Sequence, residues 1–282
     1  ARHQAMLLYL DQAQSIGPNT LAARRGKRRN RGLNENFARE LLELHTLGVG
    51  GGYGQADGLA LAQILTGWSI QTAKEKKPGA FIFRNNAHEP GAKTLLGRRI
   101  AEGGRDEGER ALDLLAAHPS TARNIARALA RHYVADDPPA DAVDRLARRF
   151  RQTDGDLREM ALAVAGLDAA WATPFSKARR PFDYVVGVMR ALEVERPMRN
   201  LAGALRTMGQ PPLRAPSPKG WPDTAEDWLS PQGVMRRIEI AELAARRRKR
   251  AEPLDVLDLA LGDAAHPATR FHVANAGDRV EG

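Results

Sequence analysis

Cysteine is absent from all 282 residues, which excludes disulfides, thiolate metal sites and a cysteine nucleophile while leaving the redox compartment open. No apolar run approaches the length that crosses a bilayer, and Ala1-Arg2-His3 opens the chain without a signal-peptide pattern. Fixed-period repeats are missing as well, which argues against a solenoid. A helix-turn-helix signature, a zinc finger and a basic-aromatic motif are also lacking. The positive charge therefore supports only non-specific contact, with no specific nucleic acid as partner.

What is present suffices for a sizeable core: 43% of the residues are hydrophobic, enough for one large domain or two small ones. The pattern reads as a single helical domain over 1–282, mainly α, with residues 17–32 as a mobile basic loop. The net charge of +9 gathers in Arg24, Arg25, Lys27, Arg28, Arg29 and Arg31, and again over Arg246–Arg250. An amphipathic pattern already under way at Met6, Leu7 and Leu10, with no initiator methionine, leads to the expectation that the natural start lies upstream.

The most informative stretch is Gly32–Gly54, GLNENFARELLELHTLGVGGGYG. Asn34 is a helix N-cap, Glu35 adds negative charge to the first turn, and Gly48 is the expected stop. A rotation of about 100° per residue puts Phe37, Leu41, Leu44 and His45 on one face and Asn36, Arg39, Glu40 and Glu43 on the other. His45 is thereby expected in the core. The polar stripe has three readings: a solvated face, a buried ion-pair network, or a metal site built on Glu40 and Glu43. Gly50, Gly51 and Gly52 lack the strand, lysine and hydroxyl of a nucleotide loop and read as a tight turn between helices.

Helical periodicity lapses only over 71–104. There Phe81–Phe83 and Thr94–Leu96 read as strands of one small β-hairpin near residues 80–98. The intervening turn gathers His88, Glu89 and Lys93, a base, an acid and a cation on one scaffold, although turn formers alone would explain the segment. His118 marks the start of a helix through Ile125, Leu129 and Tyr133. A proline-rich passage from Gly209 to Asp223 interrupts the later helices. Trp68, Trp221 and Trp228 could stack on sugar rings or pin loops by packing.

The segments GLNENFARELLELHTLGVGGGYGQAD, LTGW, HEPGAKTLLG, HPSTARNIARALARHYVADDPP, MGQPP and GWPDTAEDWLSP resemble the bacterial domain-of-unknown-function family numbered 1800, over nearly the whole chain. Full members look longer at both ends, so the resemblance implies a clipped fragment. It also implies export, with a periplasmic or envelope location, and an exported sulfatase-like partner, but no established reaction. The family's characteristic polar residues fall on Asn34, Glu35, Asn36, Arg39, Glu40, Glu43, Trp68, His88, Lys93 and His118. Where this chain has Glu89 the family more often carries Asp.

Two functions follow. One is a binding or assembly protein at the cell envelope, with Asn36, Arg39, Lys93 and Trp221 as binding residues. The other is a metal-assisted hydrolase acting on an envelope polymer. Its catalytic candidates are Glu40, Glu43 and His88, and its ligand candidates for a divalent zinc, iron or manganese ion are Glu40, Glu43, His88 and His118. Convergence of those side chains in one pocket favours the enzyme, and dispersal favours the binder.

Overall fold

The computed structural model describes residues 2–25, 32–173, 176–194, 200–246 and 253–276. Among them the backbone is mainly helical, with two small antiparallel strand pairs. Contacts divide the chain into two compact units, Ala1–Ala130 with Pro139–Leu167, and Arg131–Pro138 with Asp168–Gly282, where the sequence pattern reads as one domain. No described helix is long and apolar enough to cross a membrane.

The chain begins with α1 (Gln4–Leu8), 3₁₀ turns over Tyr9–Gln14 and α2 (Leu21–Arg25). This last helix lies inside the stretch expected to be a basic loop; residues 26–31, and the second basic run apart from Arg246, lie outside the described residues. α3 (Glu35–Glu40) is capped as expected: the Asn34 side chain accepts the Phe37 amide at 2.9 Å. Leu41–His45 then continues as a π-helical turn. Thr46 and Gly48 end it, with the Gly48 amide returning to the Leu42 carbonyl at 3.0 Å and a φ of +85° that glycine adopts without strain.

That π turn corrects one expectation. His45 is exposed, its ring edge-on to Tyr9 at 5.8 Å, because wider i→i+5 winding turns each residue by less and leaves the last ones short of the face that uniform α-helical rotation assigns them. Leu41 and Leu42 take the core side with Phe37 and Ala38.

α4 (Gln55–Ile64) packs against α3 and delivers Leu61, Ile64 and Leu65 to the same core. β1 (Trp68–Ile70) pairs antiparallel with β2 (Phe81–Phe83), and β3 (Lys93–Leu95) with β4 (Arg98–Ile100). The single hairpin expected near 80–98 is thus two pairs, since Phe81–Phe83 turns back to Trp68–Ile70 instead of forward. Leu96 and Gly97, both at positive φ, make the two-residue connection of the second pair. Leucine is a poor signal for such a turn, and here Asp57 secures it by accepting the Leu96 amide at 2.7 Å.

α5 (Arg105–Ala116) buries Glu107, Gly108, Ala111 and Leu115. Trp68 is fully buried against α5 and edge-on to Phe81, centroids 5.3 Å apart, so it packs in the core and offers no face to a sugar. α6 (Pro119–Tyr133) buries Thr121, Ala122, Ala126 and Ala130, while Tyr133 is exposed. Alanines four apart form a flat strip that admits a close neighbour, so the larger Ile125, Leu129 and Tyr133 sit beside the seam. α7 (Ala140–Gln152) and α8 (Leu157–Ala165) pack on each other.

The second unit contains α9 (Pro181–Ala191), α10 (Leu201–Thr207), α11 (Ala225–Trp228), α12 (Pro231–Ala245), α13 (Pro253–Leu261) and α14 (Pro267–Ala276). Pro181 and Pro231 each open a helix, where their missing amides cost nothing. Val185, Leu205, Met208 and Ile240 form a small core. Beside it the Arg237 guanidinium lies 4.8 Å from the Tyr184 ring centroid.

Two glycine substitutions test the packing. A methyl on Gly108 would lie 2.3 Å from Cζ2 of Trp68, a ring boxed in by the core. Gly108→Ala should cost about 1–3 kcal/mol of unfolding free energy in urea. Gly58→Ala in α4, where the added methyl meets nothing within 4 Å, should instead stabilise by about 1 kcal/mol.

Candidate functional site

The densest polar cluster is built around an acid inside the first unit. Glu107 stands at the third position of α5 with its side chain 0% exposed. One carboxylate oxygen, Oε1, accepts the Gly103 and Gly104 amides at 2.9 and 3.1 Å and faces His88 Nε2 at 2.9 Å. Oε2 accepts Lys93 Nζ at 2.8 Å. Lys93 also donates to the Glu89 carbonyl. Burial pushes the Glu107 carboxyl up, but hydrogen bonds from Lys93, His88 and Gly103, with the His88 charge, outweigh it and hold it below its ordinary value.

His88 Nδ1 lies 2.9 Å from the Thr66 carbonyl, which can only accept, and Nε2 meets a carboxylate oxygen. The ring therefore has a backbone carbonyl opposite one nitrogen and a carboxylate opposite the other. Thr66 Oγ1 accepts the Glu89 amide at 2.8 Å, and the Glu89 carboxylate accepts the Asn19 backbone amide at 3.1 Å. Glu89 comes so close to the chain at Gly17 that a Cβ there would lie 2.7 Å from the Glu89 Cα. The Lys93 ammonium is thus paired with the Glu107 carboxylate, while the Glu89 carboxylate is held by Asn19.

His88 and Lys93 therefore do converge, on a partner that the sequence reading passed over, and Glu89 joins them through its backbone carbonyl. Glu107 was legible only as an acid on the buried Gly108, Ala111 and Leu115 face of α5. Its capping-box role was masked because the cap position is Gly104 instead of Ser or Thr. With side chains 4%, 3% and 0% exposed at His88, Lys93 and Glu107, the cluster has no open side for a substrate. Lys93, expected at a binding surface, is an internal cation.

The other candidates lie apart from it. His118 accepts the Ser120 amide at 3.1 Å through Nδ1 and so caps the start of α6. Glu40 carries a long 3.6 Å contact to Arg39, whose side chain is 61% exposed. Glu40, Glu43, His88 and His118 do not meet, and no group of three or more His, Asp or Glu able to hold a metal ion occurs among the described residues.

The polar stripe of α3 is neither a flat solvated face nor an internal network. Asn36 and Arg39 are exposed and bonded to each other at 2.7 Å, while Glu40 and Glu43 are half-buried. Asn36, Arg39 and Glu43 line an open cavity of about 340 Å³ with Tyr53 and Gln55. Arg39 points toward Asn36 and solvent and does not sit in a buried ion-pair network.

In the second unit two distant segments meet. His132 Nδ1 lies 3.0 and 3.1 Å from the two carboxylate oxygens of Asp223. Asp136 accepts the Ala225 amide at 2.7 Å and the Lys177 ammonium, which also reaches the Asp223 carbonyl. Desolvation raises the Asp136 carboxyl, and the Ala225 amide and Lys177 overcome it to leave it below its usual value. Next to Asp223, Pro222 joins Trp221 and Trp228 in the wall of a groove of about 480 Å³. Both binding segments had been quoted as motifs, but nothing in either predicts their pairing.

A family model described as protein of unknown function, DUF1800, matches residues 1–281. The chain belongs to this family. No curated protein and no solved structure matches it. Of the segments quoted for the resemblance, HEPGAKTLLG supplies His88 and Lys93, HYVADDPP supplies His132 and Asp136, and GWPDTAEDWLSP supplies Asp223 and Trp228.

Glu107→Gln should destabilise the protein by about 3–5 kcal/mol, since Lys93 and His88 would be left buried without their counter-charge. The Glu107 carboxyl is lowered from 4.5 on folding, so its contribution is present above that pH and lost as pH falls below it. Urea unfolding from pH 7 to pH 3 should show a steeper acid loss in the parent than in the Glu107→Gln variant.

Proposed function

We propose that this chain is a binding or assembly protein of the cell envelope, exported to the periplasmic side, that engages its target through the α3 cavity. The observation that carries this reading is the placement of Asn36, Arg39 and Glu43 around an open space with Tyr53 and Gln55. Side chains of both charges and an amide, on a capped helix and the turn that follows it, suit recognition of a polar surface by hydrogen bonds with little reorganisation. An exported sulfatase-like protein is the partner that the family resemblance implies.

Metal-assisted hydrolysis would require Glu40, Glu43, His88 and His118 in one coordination sphere. Both His88 nitrogens are engaged inside the unit, and the His118 Nδ1 caps a helix. The dispersed arrangement supports the binder over the hydrolase.

Association with purified envelope fractions, followed by co-sedimentation, tests the proposal. Arg39→Ala and Glu43→Gln should each weaken association about tenfold or more. Their melting temperatures should stay near that of the parent, since an exposed pair such as Arg39–Glu40 is worth no more than about 1 kcal/mol. Undiminished association in both variants would remove the cavity from the binding surface.

A further inference from the structure

The second unit carries a groove of different chemistry from the α3 cavity. Its floor is Trp228, buried and fixed by an indole hydrogen bond to the Pro222 carbonyl at 3.1 Å. Trp221 stands half-buried beside it, ring centroids 6.3 Å apart and planes inclined by 48°. The rim bears Arg214 and Arg236, with Asp227 and Gln232 between them. Asp227 is bound by the Thr224 hydroxyl, and Arg236 keeps one guanidinium nitrogen on Glu239 at 2.7 Å. Among the described residues neither the Arg214 guanidinium nor the Trp221 indole N–H has a partner.

We propose that this groove binds an oligosaccharide bearing carboxylate groups. Aromatic faces suit the apolar C–H face of a pyranose ring, and Trp221 is the half-exposed aromatic there. Planar amide and carboxylate groups suit hydroxyls, which both donate and accept. The Arg214 guanidinium presents the fork geometry that pairs with a carboxylate in two parallel hydrogen bonds. A neutral sugar would leave that cation unused, and a purely apolar ligand would leave both it and the Gln232 amide unmatched.

The rim is also set up in advance. The Trp228 N–H on the Pro222 carbonyl fixes one end of the 211–222 loop, and prolines 211, 212, 216, 218 and 222 limit the conformations lost when a ligand settles. This site does not depend on the α3 cavity, which lies in the other unit.

The test uses the full chain, with calorimetric titration and tryptophan fluorescence. The probes are an oligogalacturonate, a neutral cello-oligosaccharide of the same length and a proline-rich acidic peptide. The oligogalacturonate should bind and perturb tryptophan emission, with affinity falling as salt rises, and the neutral sugar should bind at least about tenfold more weakly. Trp221→Ala should lower affinity on the order of tenfold, and Trp221→Phe should restore part of it. Arg214→Gln, at an exposed loop position that leaves folding intact, should erase the preference for the acidic sugar. Equal binding of both sugars, retention of affinity in Trp221→Ala and Arg214→Gln, tighter binding of the peptide, or no binding of oligogalacturonate would each overturn the proposal. Arg39→Ala should leave this binding unchanged, which separates the result from that for the α3 cavity.

Discussion

A fully buried carboxylate is a costly thing to fold around, and Glu107 determines much of the first unit because of that cost. Taking an ion of this size out of water carries a penalty of several kcal/mol even after relaxation, so its oxygens must be met completely. Four donors meet them: two successive backbone amides at Gly103 and Gly104, Lys93 from β3, and His88 from the turn after β2. They come from three separate parts of the chain. The end of α4, the 85–91 turn, the second strand pair and the start of α5 are all held by one charge balance.

This arrangement also leaves residues with catalytic chemistry without an open face. A histidine, a lysine and two glutamates close together would suit acid–base work if one face were open to a substrate. Here each nitrogen and oxygen is committed to a neighbour, and Phe83, 5.3 Å from the His88 ring, helps close the cluster. Side chains that line open cavities are elsewhere, among them Asn36, Arg39 and Glu43 in one unit and Trp221 in the other.

In the second unit the same economy uses smaller parts. Asp136 and Asp223 pin the segment before α11 through Lys177, His132 and the Ala225 amide. Pro222 and Trp228 then lock to each other across a short span. The proline-rich passage, which by composition could only be a loop, becomes one wall of a groove.

The sequence by itself determined the local features. The mainly helical class, the Asn34 cap, the Gly48 stop, the glycine turn and the convergence of His88, Glu89 and Lys93 in one turn follow from propensity, capping chemistry and period, which act over a few residues. Only the tertiary structure decided the rest. That β2 pairs backward with β1, that Glu107 completes the His88 and Lys93 cluster, that His132 meets Asp223 and that Asn36 and Arg39 open onto a cavity all depend on contacts between distant segments. His45 marks the boundary between the two. Its periodicity pointed inward, but the π-helical turn shifted its angle by a fraction of a turn, and burial depends on that angle as much as on residue type.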